Sequence, residues 1–299
     1  MSVIVITGGS GLVGRRLSEL LLKDGHTVRW LTRKKSGVQG IDEFIWNPSA
    51  HIIDDAALAG ADAIVSLAGT PIASKRWSAS FKKEILESRL DAAYTLRKAL
   101  AEHQGTIKTL VTASATGFYG DQGNEALDEP HRQGSGFLAE TTAQWEAAYS
   151  GISIRTTTLR IGIVLSDKGG ALKELTTPVK TGICPIIGDG KQYMSWIHID
   201  DLCRLIIHAI NEPAMQGIFN AVSPEPVMHR QFMLALRRVI APRSLVAAVP
   251  AFVMRILLGE KSAVVLDSTR VSASKVLLTN FRFMFPSLEP ALKAIYGKK

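Results

Sequence analysis

The sequence is poor in cysteine and histidine, with two cysteines and seven histidines among 299 residues. Cys184 and Cys203 are too few for a disulfide framework, and no Cys-x-x-Cys or histidine-rich cluster indicates a metal site, so we expect buried free thiols and no metal. No apolar run approaches the ~18 residues that cross a bilayer, and the chain opens on a strand-like segment rather than a signal sequence. We therefore expect a cytoplasmic protein that makes no membrane contact.

The charge is unevenly distributed. Residues 1–225 hold 23 basic and 24 acidic side chains, whereas residues 226–299 hold 12 basic and 3 acidic ones. A basic segment of this kind attracts nucleic acid, an anionic lipid surface or a phosphorylated or carboxylated small molecule, or it is simply a solvated surface. Because the basic residues are scattered and no nucleic-acid-binding motif accompanies them, nucleic acid is the least favoured of these partners.

Strand-like and helix-like patterns alternate through the first 165 residues. The apolar segment 2–7 predicts a buried strand, 11–25 an amphipathic helix, and 78–103 a long helix with apolar residues at helical spacing. A further helix is expected at 136–150, and further strands at 26–32, 42–47, 61–69, 107–114, 152–166 and 217–223. This alternation predicts a parallel sheet covered on both faces, which is a doubly wound α/β fold.

The pattern changes after residue 166, where glycine and proline become frequent. We expect a first domain of residues 1–166 and 194–223, and a smaller α+β domain of residues 167–193 and 224–299. Phe281, Phe283 and Phe285 alternate, which predicts a strand with three rings on one face. The apolar segment 245–258 resembles a membrane-surface helix, but Pro250 interrupts it and packing into a core is favoured.

The segment that joins the first strand to the first helix reads TGGSGLVG at residues 7–14. Gly8, Gly11 and Gly14 suit a tight turn, a close approach of the backbone to a pyrophosphate, and close packing of helix on strand. The helix N-terminus supplies free amides and the positive end of a dipole to the phosphates. Because the motif stands between a strand and a helix, it predicts a dinucleotide site. Its expected cofactor-binding residues are Thr7, Gly8, Gly11, Leu12, Val13 and Gly14.

The end of the second strand indicates which dinucleotide is bound. An NAD site has an acid there for the ribose 2′-hydroxyl, but this chain has none until Asp42. Thr32 and Arg33 stand there instead, and the planar donor fork of arginine suits a 2′-phosphate, with Lys34 or Lys35 adding charge. The alternative is a solvated basic turn. NADP(H) is therefore preferred over NAD(H).

Several motifs together resemble a known superfamily, the extended short-chain dehydrogenases/reductases. They are TGGSGLVG, VSLAG, the segment 114–120, LRIGIVLS and SWIHIDD. More narrowly, the chain resembles the YfcH-like epimerase family over nearly its whole length, through PIASKRW, ESRL, FLAETTAQWE, GGAL and GDGKQYMSWIHIDD. The resemblance implies a Rossmann domain that binds NADP(H), a smaller C-terminal domain and a substrate cleft between them. The further cofactor-binding residues that it implies are Leu67, Ala68, Gly69, Glu84, Arg89 and Val164, for each of which a surface or core role is the alternative.

The tyrosine and lysine on which active members of the superfamily depend are missing. The lysine lowers the tyrosine pKa, so that the tyrosine can move a proton while the nicotinamide moves a hydride. When Glu146 is matched to the acid that follows this pair, Leu138 stands at the tyrosine position and Thr142 at the lysine position, and no Tyr-x-x-x-Lys occurs elsewhere. The proton donor must therefore be a different residue, if the protein has one.

Three residues are candidates for that donor, and four others for substrate binding. Ser114, Tyr119 and Glu140 are the candidate catalytic residues. Candidate substrate residues are Lys75, Arg76, Trp77 and His198, for which a basic surface pair with a packed tryptophan, and a structural histidine, are the alternatives. The cationic and aromatic side chains would hold an anionic, planar molecule through charge-assisted bonds and stacking.

Two functions follow from these observations. The first is an NADP(H)-dependent oxidoreductase or epimerase that acts on a small anionic substrate with an unusual proton donor. The second is a non-catalytic NADPH-binding regulator or sensor, which the missing Tyr-Lys pair favours. The first is preferred because enzymes dominate this fold. A homodimer through the helix at 78–103 is possible by analogy, although packing on the sheet explains the same pattern.

Overall fold

The structure is a computed structural model that describes residues 1–103 and 107–297. Its contacts divide the chain into two compact units. Unit 1 consists of Met1–Ser114, Thr141–Leu159 and Cys203–Phe219, and unit 2 of Ala115–Glu140, Arg160–Leu202 and Asn220–Lys299. The domain boundaries expected from the sequence stay a prediction.

Most of the strands form one large sheet. In chain order the strands are β1 (Val3–Thr7), β2 (Thr27–Thr32), β3 (Ile41–Asn47), β4 (Ile52–Ile53), β5 (Ala63–Ser66), β6 (Thr109–Ala115), β7 (Ala126–Leu127), β8 (Arg155–Ile161), β9 (Ile163–Leu165), β10 (Ile183–Ile187), β11 (Tyr193–Met194), β12 (Trp196–His198), β13 (Gly217–Ala221), β14 (Val227–Met228), β15 (Leu245–Val249) and β16 (Arg270–Val271). The large sheet has the order β13-β8-β6-β5-β1-β2-β3-β4. Strands β6, β5, β1, β2 and β3 are parallel neighbours, and β4 is antiparallel. The predicted doubly wound, Rossmann-type α/β fold is confirmed.

Ten α-helices lie among the described residues. They are α1 (Leu12–Lys23), α2 (Ala79–Glu102), α3 (Phe137–Ala148), α4 (Ala171–Lys180), α5 (Ile199–Asn211), α6 (His229–Ile240), α7 (Ala251–Leu258), α8 (Ala263–Leu266), α9 (Ser274–Leu277) and α10 (Leu288–Tyr296). None of the helices in this part of the chain is long and apolar enough to cross a membrane.

Helices α1 and α2 begin and end close to where the sequence predicts. Helix α2 begins after Ser78, whose hydroxyl accepts a hydrogen bond from the amide of Phe81 at 3.2 Å. Helix α1 ends beside Gly25, which has a φ of +79°. The buried side of α2 packs with the core of unit 1, so sheet packing accounts for its apolar pattern, and a homodimer through α2 stays a prediction.

Unit 2 contains four two-stranded sheets, β9 with β12, β10 with β15, β11 with β14, and β7 with β16. One buried cluster of this unit includes Trp196, Phe232 and Leu236. Cys184 lies in this cluster, and Cys203 is buried in unit 1. As predicted, both thiols are buried and neither forms a disulfide.

The prediction of a single strand at 152–166 is wrong, because the chain leaves one sheet and enters another at Gly162. Strand β8 belongs to the large sheet, whereas β9 pairs with β12. Between them Gly162 donates to Ala221 O at 3.2 Å, and a Cβ on this glycine would lie 2.5 Å from Ser195 O. The close backbone approach ends the strand there.

The strand predicted from Phe281, Phe283 and Phe285 is also absent from the described chain, although its alternation of burial is present. Phe281 and Phe283 pack edge to face with ring centroids 4.9 Å apart. The amides that a sheet would use, those of Met284 and Phe285, each donate at 2.8 Å to the carboxylate of Asp201. A carboxylate, and not a neighbouring strand, satisfies these two backbone amides.

The prediction that segment 245–258 packs into the core is wrong. Residues 245–249 form β15, which pairs with β10, and Pro250 separates this strand from α7. No residue of α7 is buried. Phe252, Ile256 and Leu257 are exposed, and the other apolar residues of the helix are half-buried.

Candidate cofactor and active site

The predicted glycine turn connects β1 to α1, and its glycines leave no room for side chains. Gly8 has a φ of +69°, and a Cβ there would lie 2.9 Å from the carbonyl carbon of Leu67. A Cβ on Gly14 would meet Gly8 O and lie 2.6 Å from the Cα of Gly9. Gly11 is the N-cap of α1, and no side chain caps that terminus. The turn presents bare backbone and helix amides, as a phosphate site requires.

Thr7 fixes the turn against the next loop of unit 1. Its side chain is fully buried, and its hydroxyl accepts hydrogen bonds from the amides of Leu67 at 3.1 Å and Ala68 at 3.2 Å. Strands β1 and β5 are neighbours, and the chain order of the sheet reverses between them. Ligands of such sheets bind at the carboxyl ends of the strands at this reversal, where Gly8, Leu67 and Ala68 lie.

The basic turn after β2 is held by an acid that sequence reasoning missed. The carboxylate of Glu43 accepts hydrogen bonds from the Ser36 hydroxyl and from the amides of Ser36 and Gly37, at 2.6 to 2.8 Å. These bonds, led by the one from the Ser36 hydroxyl, lower the pKa of Glu43. Thr32 caps the turn locally by donating to Lys34 O at 2.9 Å. Arg33 is exposed, and none of the described residues forms an ion pair with it.

Arg89 lies beside Gly69 in unit 1, as a half-buried cation. Its Nη1 donates to the carbonyls of Thr70 at 3.1 Å and Ile85 at 2.8 Å, and its guanidinium lies 5.0 Å from the ring centroid of Trp145. Burial lowers the pKa of Arg89 to about 10. A Cβ on Gly69 would be 3.3 Å from the guanidinium carbon. No carboxylate of the described chain pairs with Arg89, so the cation is available to an anion at this edge of the sheet.

Three predicted residues of the loop after β5, Lys75, Arg76 and Trp77, and Glu84 of α2 differ in how far their polar groups already have partners. Lys75 and Glu84, predicted for substrate and cofactor respectively, form an ion pair at 3.2 Å, and both are exposed. Trp77 is half-buried and donates from Nε1 to Ile72 O at 2.8 Å. Arg76 is exposed, and no described acid pairs with it.

Ser114, a predicted catalytic residue, is hydrogen-bonded to an acid within unit 1. Its Oγ donates to Glu146 Oε1 at 2.5 Å. Ser114 is buried, whereas Glu146 is half-buried. In the parallel pairing of β5 with β6, Ser66 is opposite Thr112, so Ser114 comes two residues further along, at the level of the loop that contains Ala68. The pair therefore lies at the carboxyl edge of the sheet.

Tyr119, another predicted catalytic residue, is fully buried in unit 2. Its hydroxyl lies 2.7 Å from Asn220 Oδ1 and 3.0 Å from the carbonyl oxygen of Asp128, and it accepts a hydrogen bond from Arg160 Nη1 at 3.0 Å. The Arg160 guanidinium lies 3.5 Å from the ring centroid of Phe118. Burial raises the pKa of Tyr119, and Arg160 opposes this rise.

Leu12 and Val13 are the first two residues of α1 in unit 1. Glu140, Val164 and His198 lie in unit 2. Glu140 is exposed in the first turn of α3. Val164 is opposite Ile197 in the pairing of β9 with β12. His198 is buried at the end of β12, where its Nδ1 accepts from the amide of Asp200 at 3.1 Å and its ring lies 4.0 Å from that of Phe285. These contacts agree with the structural alternative for His198.

Sequence reasoning missed the site roles of Glu43, Glu146 and Arg160. Glu43 is opposite Trp30 in neighbouring parallel strands, but nothing in its own segment marks it as the residue that holds the turn after β2. In the sequence, Glu146 serves only to align the missing tyrosine and lysine, and nothing there pairs it with Ser114. Arg160 stands in the buried stretch of β8, and a charge in a buried strand is itself a sign of a hydrogen-bonded network.

The geometry of unit 1 fits a dinucleotide. Bare backbone at Gly8 and Gly14, an uncapped α1 N-terminus, the exposed Arg33 and the half-buried Arg89 are each suited to a phosphate or ribose group. Among residues 1–103 and 107–297 no three histidine, cysteine or acidic side chains are grouped as metal ligands.

Comparison with known sequences identifies two matching profiles. That of the NAD dependent epimerase/dehydratase family matches residues 4–221, and that of a domain of unknown function, DUF1731, matches residues 249–295. The chain is 35% identical over 302 residues to the Arabidopsis thaliana protein described as "Epimerase family protein SDR39U1 homolog, chloroplastic", covering 98% of this chain and 86% of that protein.

Two solved structures are also similar. One is the crystal structure of the human epimerase family protein SDR39U1 with NADPH, which has a TM-score of 0.89 and 29% identity, over 99% of this chain and all of that one. The other is a nucleoside-diphosphate sugar epimerase from Corynebacterium glutamicum, with a TM-score of 0.79 and 31% identity, over 99% of this chain and 58% of that one. The chain belongs to the NAD dependent epimerase/dehydratase family, one of the extended short-chain dehydrogenases/reductases that its motifs resemble.

Proposed function

We propose that this chain binds NADP(H) and acts as an oxidoreductase or epimerase on a small anionic substrate. The observation that carries the proposal is the cradle at the carboxyl end of β1, where Gly8 and Gly14 leave bare backbone in front of the uncapped N-terminus of α1. The amides of this cradle bind the pyrophosphate. The bound dinucleotide supplies the hydride chemistry.

The preference for NADP(H) rests on Arg33 and Glu43. The Glu43 carboxylate is engaged by the turn at Ser36 and Gly37, so it does not serve as the ribose acceptor that an NAD site places after β2. Arg33 is exposed beside this fixed turn and offers its donor fork to a 2′-phosphate. The NADPH in the crystal structure of the human relative supports the same choice.

We assign the transfer of the proton between enzyme and substrate to Ser114 and Glu146 rather than to Tyr119. Glu146 takes a proton through the Ser114 hydroxyl when the substrate is an alcohol and returns it when the substrate is a carbonyl. A tyrosine whose pKa is raised by burial is a weaker acid than the usual catalytic tyrosine, and the hydroxyl of Tyr119 already has partners. Tyr119 therefore has a structural role, in which its hydroxyl holds Asn220 and Arg160, and it does not transfer the proton.

An anionic substrate is favoured by the cations of the loop after β5. Lys75 is paired with Glu84, so Arg76 is the cation that remains for a carboxylate or phosphate of the substrate. Trp77 supplies a flat apolar surface beside it.

The cofactor assignment is tested by titrating the wild type and Arg33→Ala with NADPH, NADP, NADH and NAD. Fluorescence and calorimetry measure the binding. We expect the wild type to prefer NADPH, and Arg33→Ala to weaken NADPH binding about tenfold or more because one charge-assisted pair is lost, with NADH binding unchanged. Lys23→Ala, at the exposed end of α1, is the matched control. Failure of the wild type to bind any of the four dinucleotides would overturn the proposal.

The chemical step is tested with deuterated NADPH and a panel of carbonyl and nucleotide-sugar substrates. We expect stereospecific transfer of deuterium by the wild type, reduced about 10² to 10⁴-fold in Ser114→Ala and Glu146→Gln. NADPH binding by these variants should be unchanged.

A non-catalytic NADPH-binding sensor is the second candidate. The missing tyrosine and lysine favour it, since Leu138 and Thr142 have no group that titrates near neutral pH. Tight NADPH binding with no deuterium transfer across the whole panel would favour the sensor, and transfer to any substrate would exclude it.

A further inference from the structure

Helix α7 presents an unusual surface in unit 2. It consists of seven apolar residues and Arg255, and none of its residues is buried. Phe252 is 60% exposed, Ile256 71% and Leu257 64%. We call Phe252, Arg255, Ile256 and Leu257 the α7 surface. Single exposed apolar side chains are common, but three large ones on eight residues mark an interaction site.

The α7 surface combines apolar groups with positive charge. Phe252, Arg255 and Ile256 are separated by three and four residues, so they lie on one face of the helix. Between residues 243 and 261 the chain has three basic residues, Arg243, Arg255 and Lys261, and one acid, Glu260. This short segment belongs to the last quarter of the chain, in which basic residues greatly outnumber acidic ones.

Further cations lie near the start of α7. A Cβ on Gly188 would be 3.9 Å from the Cβ of Ala251, the first residue of the helix. A Cβ on Gly190 would be 2.9 Å from the Cβ of Arg230. The same loop contributes Lys191 and the acid Asp189, which are 4.0 Å apart. The surroundings of the helix are therefore basic on balance, with two acids among them.

We propose that the α7 surface docks on an anionic lipid bilayer, with α7 lying in the plane of the interface. Phenylalanine, isoleucine and leucine enter the boundary between head groups and acyl chains, while the long stem of Arg255 lets its guanidinium remain at the phosphates. An eight-residue helix is about 12 Å long, so it lies on a membrane and does not cross it.

A second copy of this chain is a poorer occupant than an anionic membrane. A symmetric dimer on this face would bring Arg255 of each copy near Arg255 of the other, within two basic segments. Such like-charge contacts oppose association at low salt, whereas the same charges attract an anionic lipid surface. The proposal revises the expectation from the sequence that the protein makes no membrane contact.

The test is co-sedimentation of the full chain with vesicles. We expect binding to phosphatidylcholine vesicles that contain phosphatidylglycerol, little binding to phosphatidylcholine alone, and weaker binding at high salt. The double variant Phe252→Ser, Ile256→Ser should lower the partition coefficient at least about tenfold, because it removes two apolar groups from the interface. Arg255→Gln should lower it about fivefold.

Leu278→Ser is the matched control, because Leu278 is 84% exposed elsewhere in unit 2, and its partition coefficient should equal that of the wild type. Circular dichroism melts establish that the variants are folded. Equal binding to neutral and anionic vesicles, no binding to either, or unchanged binding of the double variant would overturn the proposal. A dimer in sedimentation equilibrium that the double variant dissociates, without vesicle binding, would assign the surface to a second copy. None of these outcomes depends on whether NADPH binds.

Discussion

Ser114 and Tyr119 are five residues apart in the sequence, and both were predicted as proton donors, but they lie in different units and in different surroundings. In unit 1 the Ser114 hydroxyl donates a hydrogen bond to the half-buried carboxylate of Glu146. In unit 2 the Tyr119 hydroxyl is enclosed with Asn220, Asp128 O and Arg160. An amide, a peptide carbonyl and a guanidinium do not serve as general bases, whereas a carboxylate does.

Two arginines, the half-buried Arg89 and the buried Arg160, show the same contrast. Arg89 in unit 1 is bonded to the carbonyls of Thr70 and Ile85 and has no carboxylate partner in the described chain. Arg160 in unit 2 donates to Tyr119 and to Glu129 O and stacks on Phe118. The first guanidinium can take an anion without breaking any existing ion pair, and the second is part of a finished network. Unit 1 thus has a cation with no acid partner in the described chain, whereas the cation of this cluster of unit 2 is held by a network of hydrogen bonds.

Gly14→Ala should give the largest effect, because it damages both the packing and the ligand site of unit 1. The new methyl group meets Gly8 O and the Cα of Gly9, which belong to the backbone and cannot move aside. We expect a loss of more than about 3 kcal/mol in the free energy of unfolding and no measurable NADPH binding. Urea denaturation and NADPH titration check this.

Gly25→Ala is the control for this substitution. Gly25 also has a positive φ, +79°, but a Cβ there would find nothing within 4 Å. A loss of about 1–2 kcal/mol with intact NADPH binding is expected. If Gly14→Ala were as mild as Gly25→Ala, the close packing of the turn would be refuted.

His229 should make unit 2 sensitive to acid. This histidine is buried at the start of α6, neither ring nitrogen has a partner among the described residues, and burial lowers its pKa to about 4. The unfolded chain takes up this proton near the ordinary pKa of about 6.5, so stability falls as the pH drops from about 6.5 to about 4, by about 3 kcal/mol.

His229→Leu should remove this pH dependence, with a change at pH 7 of less than about 1 kcal/mol, because it leaves no unpaired buried group. His51→Asn, at an exposed position with a positive φ, is the control and should keep the wild-type slope. Urea denaturation at several pH values measures both. A slope shared by the wild type and His229→Leu would contradict the prediction.

Tyr119→Phe should cost about 2 kcal/mol of stability, because it leaves buried groups of Arg160 and Asn220 without their partner. NADPH affinity and deuterium transfer should be unchanged. Tyr94→Phe, at a residue that is 44% exposed, should change neither quantity. Loss of transfer by a Tyr119→Phe protein of normal stability would reverse the comparison and make Tyr119 the proton donor.

Features that depend on neighbouring residues could be predicted from the sequence, whereas contacts between distant residues could not. The glycine turn, α1 and strands β1, β2, β3, β6 and β13 depend on local patterns, and each was predicted to within two residues. Strand β4 was not predicted, and the strands predicted at the positions of β5 and β8 were too long. The partners of Ser114 and Tyr119 could not be predicted, because Glu146 and Asn220 are 32 and 101 residues further along the chain.

The wrong predictions have a related cause. The alternation of Phe281, Phe283 and Phe285 predicted correctly that these side chains are less exposed than their neighbours. It did not predict that the carboxylate of Asp201, and not a neighbouring strand, accepts the hydrogen bonds of the backbone amides. Likewise, the apolar composition of α7 predicted burial, although the helix lies at the surface. Periodicity indicates which side chains share a face, and only the tertiary structure determines what covers that face.

Glu43→Gln should give the smallest effect and the sharpest test of the basic turn. The carboxylate accepts from the Ser36 hydroxyl and from two amides, and a glutamine accepts less strongly and places a donor against donors. Because the turn holds Arg33 near the proposed 2′-phosphate, we expect NADPH to bind about threefold more weakly. NADH, which has no 2′-phosphate, should bind as it does to the wild type. Glu19→Gln, at an exposed acid of α1, is the control. An equal loss of NADH binding would mean that Glu43 supports the whole cofactor site and not the turn alone.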